Sequence, residues 1–384
     1  MKKHTTSTSS ILSCPYEAEC SGCKYLELPY EEQLKLKSDQ LRAHFQDAQF
    51  PYLGDIEVHS AGSAGLRDRL DFSWVGGKLG LYKKQSHELV DIETCLQLSP
   101  ALQQALSEIR KVSWPANKGS LRVRVGPQGQ KGLWLDFSNI DIKNLLEEKT
   151  ILKKLIPQFT IEIGQRRKIL FWTGQEFKLR DPQPQAWFQT WMGEQVVNLY
   201  CQVASFTQPS IQANKIICDI ISEWLEGIDQ PRVIEFGSGI GNLTLPVLAK
   251  AKHVTACEID QLSLDGLQMT LQHLPTSLCE LKERISIHRG DFQKKLMQDF
   301  SQFDLVLANP PRSGLMNFLN PLKELLPHQR PRYFIYMSCF PESLVADSLK
   351  LRESGYSIRQ LHIVDQFPQS AHYEVLSLFE REQL

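Results

Sequence analysis

Hydrophobic positions follow two different spacings in the two halves of the chain. In the first half, residues 70–75 alternate apolar and polar side chains and run into Gly76-Gly77. This pattern predicts a β-hairpin with a glycine turn. Leucines at helical spacing predict a helix over residues 30–48, and a second helix is expected near residues 145–155. Further strands are expected at residues 121–125, 133–137 and 169–173.

In the second half, short apolar runs that read as strands alternate with helical patterns. The strands are expected at residues 232–236, 253–258, 285–288, 303–307, 333–337, 357–364 and 373–379. Such alternation indicates a doubly wound, mostly parallel sheet, here of seven strands. Only a short loop precedes the last strand, so we expect that strand to insert antiparallel.

These patterns predict an α/β protein with two domains. We expect a disordered tail at residues 1–13, an α+β domain over residues 14–195, and a Rossmann-like domain over residues 196–384. A length of 384 residues is sufficient for two separate cores.

Composition narrows the classes of function. The net charge is −1, so any nucleic acid would have to be bound by local basic patches. The nine cysteines are an odd number in a long chain, which argues against a disulfide scaffold. The N-terminus has no apolar signal core, and no apolar run approaches about 20 residues. We therefore expect a cytoplasmic protein without membrane contact, acting as a monomer.

Four cysteines form a candidate metal site. Cys14, Cys20 and Cys23 follow one another closely, and Cys95 comes 72 positions later. Four soft thiolates suit an iron–sulfur cluster or a structural zinc ion. Zinc sites more often use paired C-x₂-C knuckles, so the spacing here favours iron–sulfur. We expect the group to pin the N-terminal segment to the hairpin domain and to shape a surface rather than transfer electrons.

A glycine-rich loop follows the strand at residues 232–236 and opens a helix. Its sequence, Gly237-Ser238-Gly239-Ile240-Gly241, lacks the lysine of a nucleotide-triphosphate loop. Close backbone approach to an amino acid and a ribose suits S-adenosylmethionine. Glu258 ends the next strand, where its carboxylate can accept both ribose hydroxyls. The alternatives are a NAD-type fold and an ordinary tight turn.

The sequence Asn309-Pro310-Pro311-Arg312 follows another strand, at the edge of the sheet where ligands bind. The prolines stiffen the turn, which directs the Asn309 amide at a cofactor or a substrate base. An aromatic fourth residue would indicate methylation of an amine on adenine or guanine. Arg312 instead suits a phosphate or a base oxygen.

Cys339 and Glu374 supply a candidate nucleophile and base. Cys339 follows the strand at residues 333–337 near a helix start, which we expect to lower its pKa. Glu374 begins the last strand. Alone, Cys339 reads as a buried structural cysteine and Glu374 as a solvated carboxylate. Together they suit methylation of uracil at C5, which requires a thiolate at C6 and a base for the C5 proton.

With these motifs the chain resembles the RNA uracil-C5 methyltransferases over nearly its whole length. The matching residues are the four cysteines, Ser205-Phe206-Thr207-Gln208, residues 235–241, Asn309-Pro310-Pro311-Arg312, Ser338-Cys339 and His372-Tyr373-Glu374. The resemblance implies that Cys14, Cys20, Cys23 and Cys95 hold a [4Fe–4S] cluster. It also implies that Gln208, Gly237, Glu258 and Asn309 line the S-adenosylmethionine site. Cys339 would be the nucleophile and Glu374 the base.

Departures from the family pattern indicate which branch of the family this chain resembles. The family usually has an aromatic residue where Gly237 stands and an asparagine where Ser210 stands. Asn309 replaces the aspartate of many members and is similar to a ribosomal-RNA branch. Because the cysteine run begins almost at once, we expect no N-terminal RNA-binding barrel of the kind found in some members, and the bacterial tRNA branch typically lacks the cluster cysteines. We therefore expect a uridine in 23S rRNA as substrate, rather than the tRNA T-loop.

Two other classes of function stay open at this point. One is an amino-methyltransferase acting on adenine or guanine. The other is a non-catalytic iron–sulfur RNA-binding protein with a decayed cofactor site.

Overall fold

The structure is a computed structural model and describes residues 11–52, 54–114, 117–136, 142–164, 167–291 and 299–382. Most of the expected tail, residues 1–10, lies outside this part. The α-helices are α1 Tyr30–Asp47, α2 Pro100–Ile109, α3 Ile142–Glu147, α4 Lys149–Leu155, α5 Ile211–Glu226, α6 Thr244–Lys250, α7 Gln261–Gln272, α8 Asn320–Glu324 and α9 Pro341–Glu353.

The strands follow in chain order. They are β1 Ile56–Ser60, β2 Arg69–Val75, β3 Lys78–Tyr82, β4 Leu89–Asp91, β5 Lys118–Val125, β6 Lys131–Asp136, β7 Phe159–Ile163, β8 Lys168–Trp172, β9 Phe177–Arg180, β10 Gln185–Met192, β11 Gln195–Cys201, β12 Arg232–Phe236, β13 His253–Glu258, β14 Ile285–Arg289, β15 Leu305–Ala308, β16 Tyr333–Ser338, β17 Tyr356–Asp365 and β18 Glu374–Arg381.

The C-terminal sheet has the strand order β1-β17-β18-β16-β15-β12-β13-β14. As expected, β18 inserts antiparallel, between β16 and β17, and the neighbouring strands β12 to β16 run parallel. Helices cover both faces, so the inner strands are mostly apolar, and the sequence predicts them well.

The prediction of seven strands is wrong within the described residues, because this sheet has eight. The additional strand is β1, which comes from the N-terminal half and pairs parallel with β17. Its residues Ile56 and Val58 pack against the core between the sheet and α9. Helix α1 also lies against this core through Leu41 and Phe45. The segment from α1 to β1 therefore packs with the C-terminal sheet.

The N-terminal sheet has the order β4-β3-β2-β5-β6-β7-β8-β9 and is antiparallel except between β6 and β7. The predicted hairpin is confirmed: Val75 pairs with Lys78 across a two-residue turn. Gly76 and Gly77 both have positive φ, 56° and 85°, as a type I′ turn requires. The helix expected near residues 145–155 is in fact two short helices, α3 and α4.

A third, two-stranded sheet joins the two halves. The hairpin β10–β11 was not predicted from the sequence, and its strands pack Trp187, Phe188 and Leu199 onto the core shared with α5 and α6. Among the described residues, no helix combines the length and apolar character needed to cross a membrane.

Candidate active site

Strand register brings three predicted cofactor residues to one edge of the C-terminal sheet. Phe236 pairs with Cys257 on β13 and with Ala308 on β15, so the next residues, Gly237, Glu258 and Asn309, are neighbours at the carboxyl ends of their strands. The crevice outside this edge is where open α/β sheets bind ligands.

Two glycines of the loop are required by geometry. Gly237 has a φ of +74°, and a Cβ there would lie 3.1 Å from the carbonyl oxygen of Asn309. A Cβ on Gly241, whose φ is +91°, would lie 2.6 Å from Leu267 Cδ1 on α7. A side chain at either position would therefore strain the backbone and separate packed elements. The absence of the family's usual aromatic residue at Gly237 leaves backbone atoms to line this part of the edge.

Glu258 is held by backbone donors. Its Oε2 accepts the N–H of Gly239 at 2.9 Å, and its Oε1 accepts those of Ile259 and Asp260 at 2.7 and 2.9 Å. The carboxylate is therefore fixed beside the glycine loop. Each carboxylate oxygen has more than one lone pair, so this side chain can still accept hydroxyl donors from a ribose.

A second carboxylate, Glu235, lies beneath the loop on β12. It is fully buried, and its Oε2 has no hydrogen-bond partner among the described residues. Burial raises its pKa to about 8, with the Glu258 charge adding to the effect. The sequence motif includes Glu235, but spacing alone assigned it no role. In the structure its raised pKa favours the protonated form, which suits a buried site next to a second carboxyl group.

Cys339 and Glu374 are brought together by the antiparallel pairing of β16 and β18. Ser338 pairs with Val375, so Cys339, just after β16, lies across from Glu374, the first residue of β18. Asn309 follows the adjacent strand β15, and the Arg312 guanidinium carbon lies 4.7 Å from the centre of the Phe340 ring. The predicted nucleophile, the predicted base and the turn therefore meet at the edge that carries the glycine loop.

The expectation that a helix start lowers the Cys339 pKa is wrong. Burial raises the pKa of this thiol, and the charge of Glu374 raises it further. Arg312 opposes both effects without reversing them. The helix α9 begins at Pro341 but does not outweigh the loss of solvent and the nearby carboxylate.

Glu374 is a buried carboxyl group with one specific partner. Burial raises its pKa to about 8, and a hydrogen bond from Gln366 lowers it in part. Gln366 Nε2 donates to Glu374 Oε1 at 2.8 Å and to Gln208 Oε1 at 2.9 Å. Gln366 thus links the predicted base to Gln208, a predicted cofactor residue. Sequence reasoning missed Gln366, because a single glutamine in a loop has no diagnostic spacing.

Gln208 itself is positioned from the N-terminal sheet. Arg124 on β5 is fully buried and donates to the carbonyls of Gln202 and Val203 and to Thr207 Oγ1, at 3.0, 3.1 and 2.6 Å. These bonds fix the segment that leads into Gln208. The next residue but one, Ser210, caps α5 by accepting the Ala213 N–H.

The loop that joins β17 to β18, residues 366–373, is held by helix α1. Lys37 Nζ donates to Asp365 Oδ1 at 2.8 Å and to the carbonyl of Phe367 at 3.1 Å, and both charged side chains are fully buried. Gln33 exchanges hydrogen bonds with Gln369 in both directions. The approach to Glu374 is therefore built on a helix from the N-terminal half.

The four predicted metal ligands line a single pocket. Cys14, Cys20, Cys23 and Cys95 surround it together with Pro368 and Ser370 of the 366–373 loop. All four are free thiols. Burial and the neighbouring thiols raise the pKa of Cys23 to about 12, so this sulfur favours its ionised form only beside a cation.

The spacing of the sulfurs bears on which cation fits. Among the described residues, no three of these sulfur atoms lie within 4.8 Å of one another. Tetrahedral zinc with Zn–S bonds of about 2.3 Å holds its sulfurs about 3.8 Å apart. As they stand, the four sulfurs are therefore not gathered as tightly as around one tetrahedral zinc ion.

The cysteine run contacts both halves of the protein. The Ser21 N–H donates to the carbonyl of Tyr82 at the end of β3, and the N–H groups of Lys24 and Tyr25 donate to the carbonyl of Gln369 at 2.7 and 2.9 Å. The pocket is thus separate from the Cys339 site but shares its loop.

Comparisons with known proteins agree on a family. The family described as tRNA (Uracil-5-)-methyltransferase matches residues 192–382. An RNA methyltransferase of Bdellovibrio bacteriovorus is 58% identical over 381 residues, covering 99% of this chain and 98% of the relative. A 23S rRNA (uracil(1939)-C(5))-methyltransferase of Vibrio parahaemolyticus is 26% identical, covering 96% of this chain and 81% of the relative.

A similar protein is found among solved structures. The tRNA (uracil-54, C5)-methyltransferase of Pyrococcus abyssi, in complex with S-adenosyl-L-homocysteine, superimposes with a TM-score of 0.66 at 16% identity. The match covers 96% of this chain and 87% of the archaeal chain. At this identity the likeness shows a shared fold.

Proposed function

Because this chain belongs to the RNA uracil-C5 methyltransferase family, we propose that it methylates C5 of one uridine in 23S rRNA through Cys339 and Glu374. The enzyme acts on RNA and uses S-adenosylmethionine. Membership in this family disagrees with both the amino-methyltransferase and the non-catalytic alternatives. The observation that carries the residue assignment is the β16–β18 register, which sets Cys339 across from Glu374.

The chemistry follows from what each residue can do. S-adenosylmethionine, when bound, supplies a methyl group on a positively charged sulfur. The Cys339 thiolate adds to C6 of uracil, which makes C5 nucleophilic toward that methyl group. Arg312 lies on the same turn as Asn309, where it can balance negative charge on O4. Glu374 then takes the C5 proton, and the C6–S bond breaks to release the thiolate.

The cofactor site is proposed along the edge formed by Gly237, Glu258 and Asn309, with Gln208 at its side. The left-handed backbone of Gly237 and the backbone-fixed carboxylate of Glu258 support this assignment. Glu258 accepts the ribose hydroxyls, and Asn309 and Gln208 orient the methyl donor next to Cys339.

The choice of 23S rRNA rests on two supports. Relatives that cover most of this chain are named 23S rRNA (uracil(1939)-C(5))-methyltransferases, in Vibrio parahaemolyticus and in Mannheimia succiniciproducens. The four-cysteine pocket is the second support, since the bacterial tRNA branch typically lacks it. The target uridine must leave its stack to reach Cys339, so it lies in a loop or in a stem that can open.

We further propose that Cys14, Cys20, Cys23 and Cys95 hold a [4Fe–4S] cluster with a structural role. The support is the chemistry of four thiols around one pocket, no three of whose sulfurs lie within 4.8 Å of one another in the described residues. The cluster joins the N-terminal segment to the hairpin β2–β3 and to the 366–373 loop.

Two variants with opposite effects on the covalent RNA adduct test the catalytic assignment. Cys339→Ala should abolish both methyl transfer and covalent capture of RNA, followed by labelled methyl incorporation and denaturing gels. Glu374→Gln keeps an acceptor for the Gln366 hydrogen bond but removes the base, so a stalled covalent adduct should accumulate. Cys279→Ala, which changes an exposed cysteine, is the matched control and should behave as wild type. Full turnover by Cys339→Ala would exclude the mechanism.

The substrate is tested separately. Mapping of 5-methyluridine in total RNA from cells with and without the gene should show loss at one position of 23S rRNA. Loss confined to tRNA would instead assign the enzyme to the T-loop.

A further inference from the structure

A cluster of three metal-binding side chains lies away from both sites described above. Glu57 and His59 are two residues apart on β1, so they share one face of the strand. His362 on β17 pairs with Glu57 in the parallel register. The cluster therefore joins the edge strand from the N-terminal half to the C-terminal sheet.

The distances in this cluster match those of ligands around one ion. His59 Nε2 lies 2.9 Å from His362 Nδ1 and 3.8 Å from Glu57 Oε2. Two nitrogens bound at about 2.05 Å lie about 2.9 Å apart at a right angle and about 3.3 Å apart in a tetrahedron. The imidazole nitrogens, 2.9 Å apart, are at the right-angle separation and need to move apart by about 0.4 Å for tetrahedral coordination. Glu57 is exposed, so its carboxylate can close the remaining gap without disturbing the core.

No other set of three side chains in the described part of the chain brings its metal-binding atoms this close together. There, no other trio of His, Cys, Asp or Glu side chains brings its ligand atoms within 4.8 Å of one another. The carboxylate of Glu223 on α5 is also near enough to act electrostatically on His59. The surroundings therefore favour a cation.

The orientation of His362 is fixed by a second layer of hydrogen bonds. Gln360 Oε1 accepts Trp224 Nε1–H at 2.5 Å and lies 3.2 Å from His362 Nε2. A carboxamide oxygen can only accept, so the proton of His362 sits on Nε2 and the Nδ1 lone pair faces His59. Histidine ligands of metals characteristically donate their other ring N–H to an oxygen in this way.

We propose that Glu57, His59 and His362 bind one Zn²⁺ ion, which fastens strand β1 to the sheet. Two imidazoles and a carboxylate are a common zinc donor set, and a water completes four-coordination. The ion replaces the hydrogen bond between the two histidines. His59 then carries its single proton on Nδ1, so both neutral imidazoles keep one proton and none is released. The site does not depend on the substrate proposed above.

The test separates this site from the cysteine pocket, which also binds metals. Full-length wild type and His59→Gln, both carrying their iron–sulfur content as purified, are titrated with Zn²⁺ by calorimetry. Wild type should bind one more equivalent, and any residual binding at this site in His59→Gln should be at least tenfold weaker. Glu223→Gln is the control, since it removes a nearby charge but no ligand. Equal stoichiometry and affinity in wild type and His59→Gln would overturn the proposal.

Spectroscopy identifies the donor atoms. Co²⁺ in the proposed site should give ligand-field bands without thiolate charge transfer, and these bands should be missing from His59→Gln. Bands that are identical in the two proteins would place the metal at the cysteines and overturn the proposal.

The second layer supplies an independent variant. Gln360→Leu keeps all three ligands but releases His362, so zinc affinity should fall about 10- to 100-fold. Thermal melting without added metal shows whether the variants are folded. Zn²⁺ should raise the melting temperature of wild type and not that of His59→Gln. A rise of equal size in both proteins would contradict the assignment.

Discussion

At the residue scale, the candidate active site contains two acids that both favour their protonated forms. Burial raises the pKa of the Cys339 thiol and of the Glu374 carboxyl group, and the Glu374 charge raises the Cys339 pKa further. Raised pKa values have a chemical use, because they make a more nucleophilic thiolate and a more basic carboxylate. Arg312 is the cation that opposes the Cys339 shift.

The rate of methylation is therefore expected to rise with pH through about 8. The Glu374 pKa is raised to about 8, and the proposed base acts only when deprotonated. The Cys339 pKa is raised as well, so the thiolate fraction also grows as pH increases. Both signs agree. Single-turnover rates with saturating RNA between pH 6 and 9.5 measure the profile, and a flat profile across pH 8 would contradict it.

Two variants should move the pH dependence of covalent RNA capture in opposite directions. Glu374→Gln removes the repulsive charge, so covalent capture through Cys339 should reach half its maximum at a lower pH. Arg312→Gln removes the opposing cation and should move capture to a higher pH. A shift in the same direction for both variants would mean that solvent access, rather than charge, sets the Cys339 pKa.

At the element scale, helix α1 holds the 366–373 loop through a buried ion pair. Lys37 and Asp365 have no solvent exposure, and Asp365 also accepts hydrogen bonds from Tyr30 Oη and from the Phe367 N–H. Lys37→Met leaves the Asp365 charge buried without its cation. We expect the free energy of unfolding to fall by about 3–5 kcal/mol in urea titrations.

The same helix provides the matched control. Lys35 pairs with Asp39 four residues on, at 2.5 Å, but both side chains are exposed. Lys35→Met should lower the free energy of unfolding by less than about 0.5 kcal/mol. Replacing both members of the buried pair, Lys37→Met with Asp365→Leu, should recover part of the loss. Equal costs for Lys35→Met and Lys37→Met would show that burial does not distinguish the two pairs.

The elements also show what sequence patterns can and cannot predict. Strands β12 and β13 were predicted with their observed ends, because parallel strands buried on both faces are continuous apolar runs. Strand β1 was missed, because its five residues include polar Glu57 and His59 and its partner β17 lies about 300 positions away. Cys339 and Glu374 stood out through their motifs, whereas Gln366 depends on tertiary contacts alone.

At the scale of the whole molecule, the two halves are joined at the 366–373 loop. The cysteine run reaches the loop through the carbonyl of Gln369, and Pro368 and Ser370 line the cysteine pocket. Loss of the proposed cluster should therefore affect the loop before Glu374 as well as the surface near the hairpin. The sequence suggested only the second effect, since it does not show which loop closes the pocket.

Cys23→Ser tests whether the cysteines hold a cluster and whether that cluster supports the 366–373 loop. Cys23 is surrounded by the other three thiols, so its loss should lower iron content and the cluster absorbance of anaerobically purified protein. Hydrogen exchange of amides in residues 366–373 should become at least several-fold faster, and turnover should fall even where RNA binding is retained. Cys279→Ser, at an exposed position, should change none of these.

About one zinc and no iron per wild-type chain would exclude the cluster. If Cys23→Ser lost its iron but kept native exchange, the pocket would not support the 366–373 loop. If it also kept native affinity for RNA, the pocket would not shape the RNA-binding surface either.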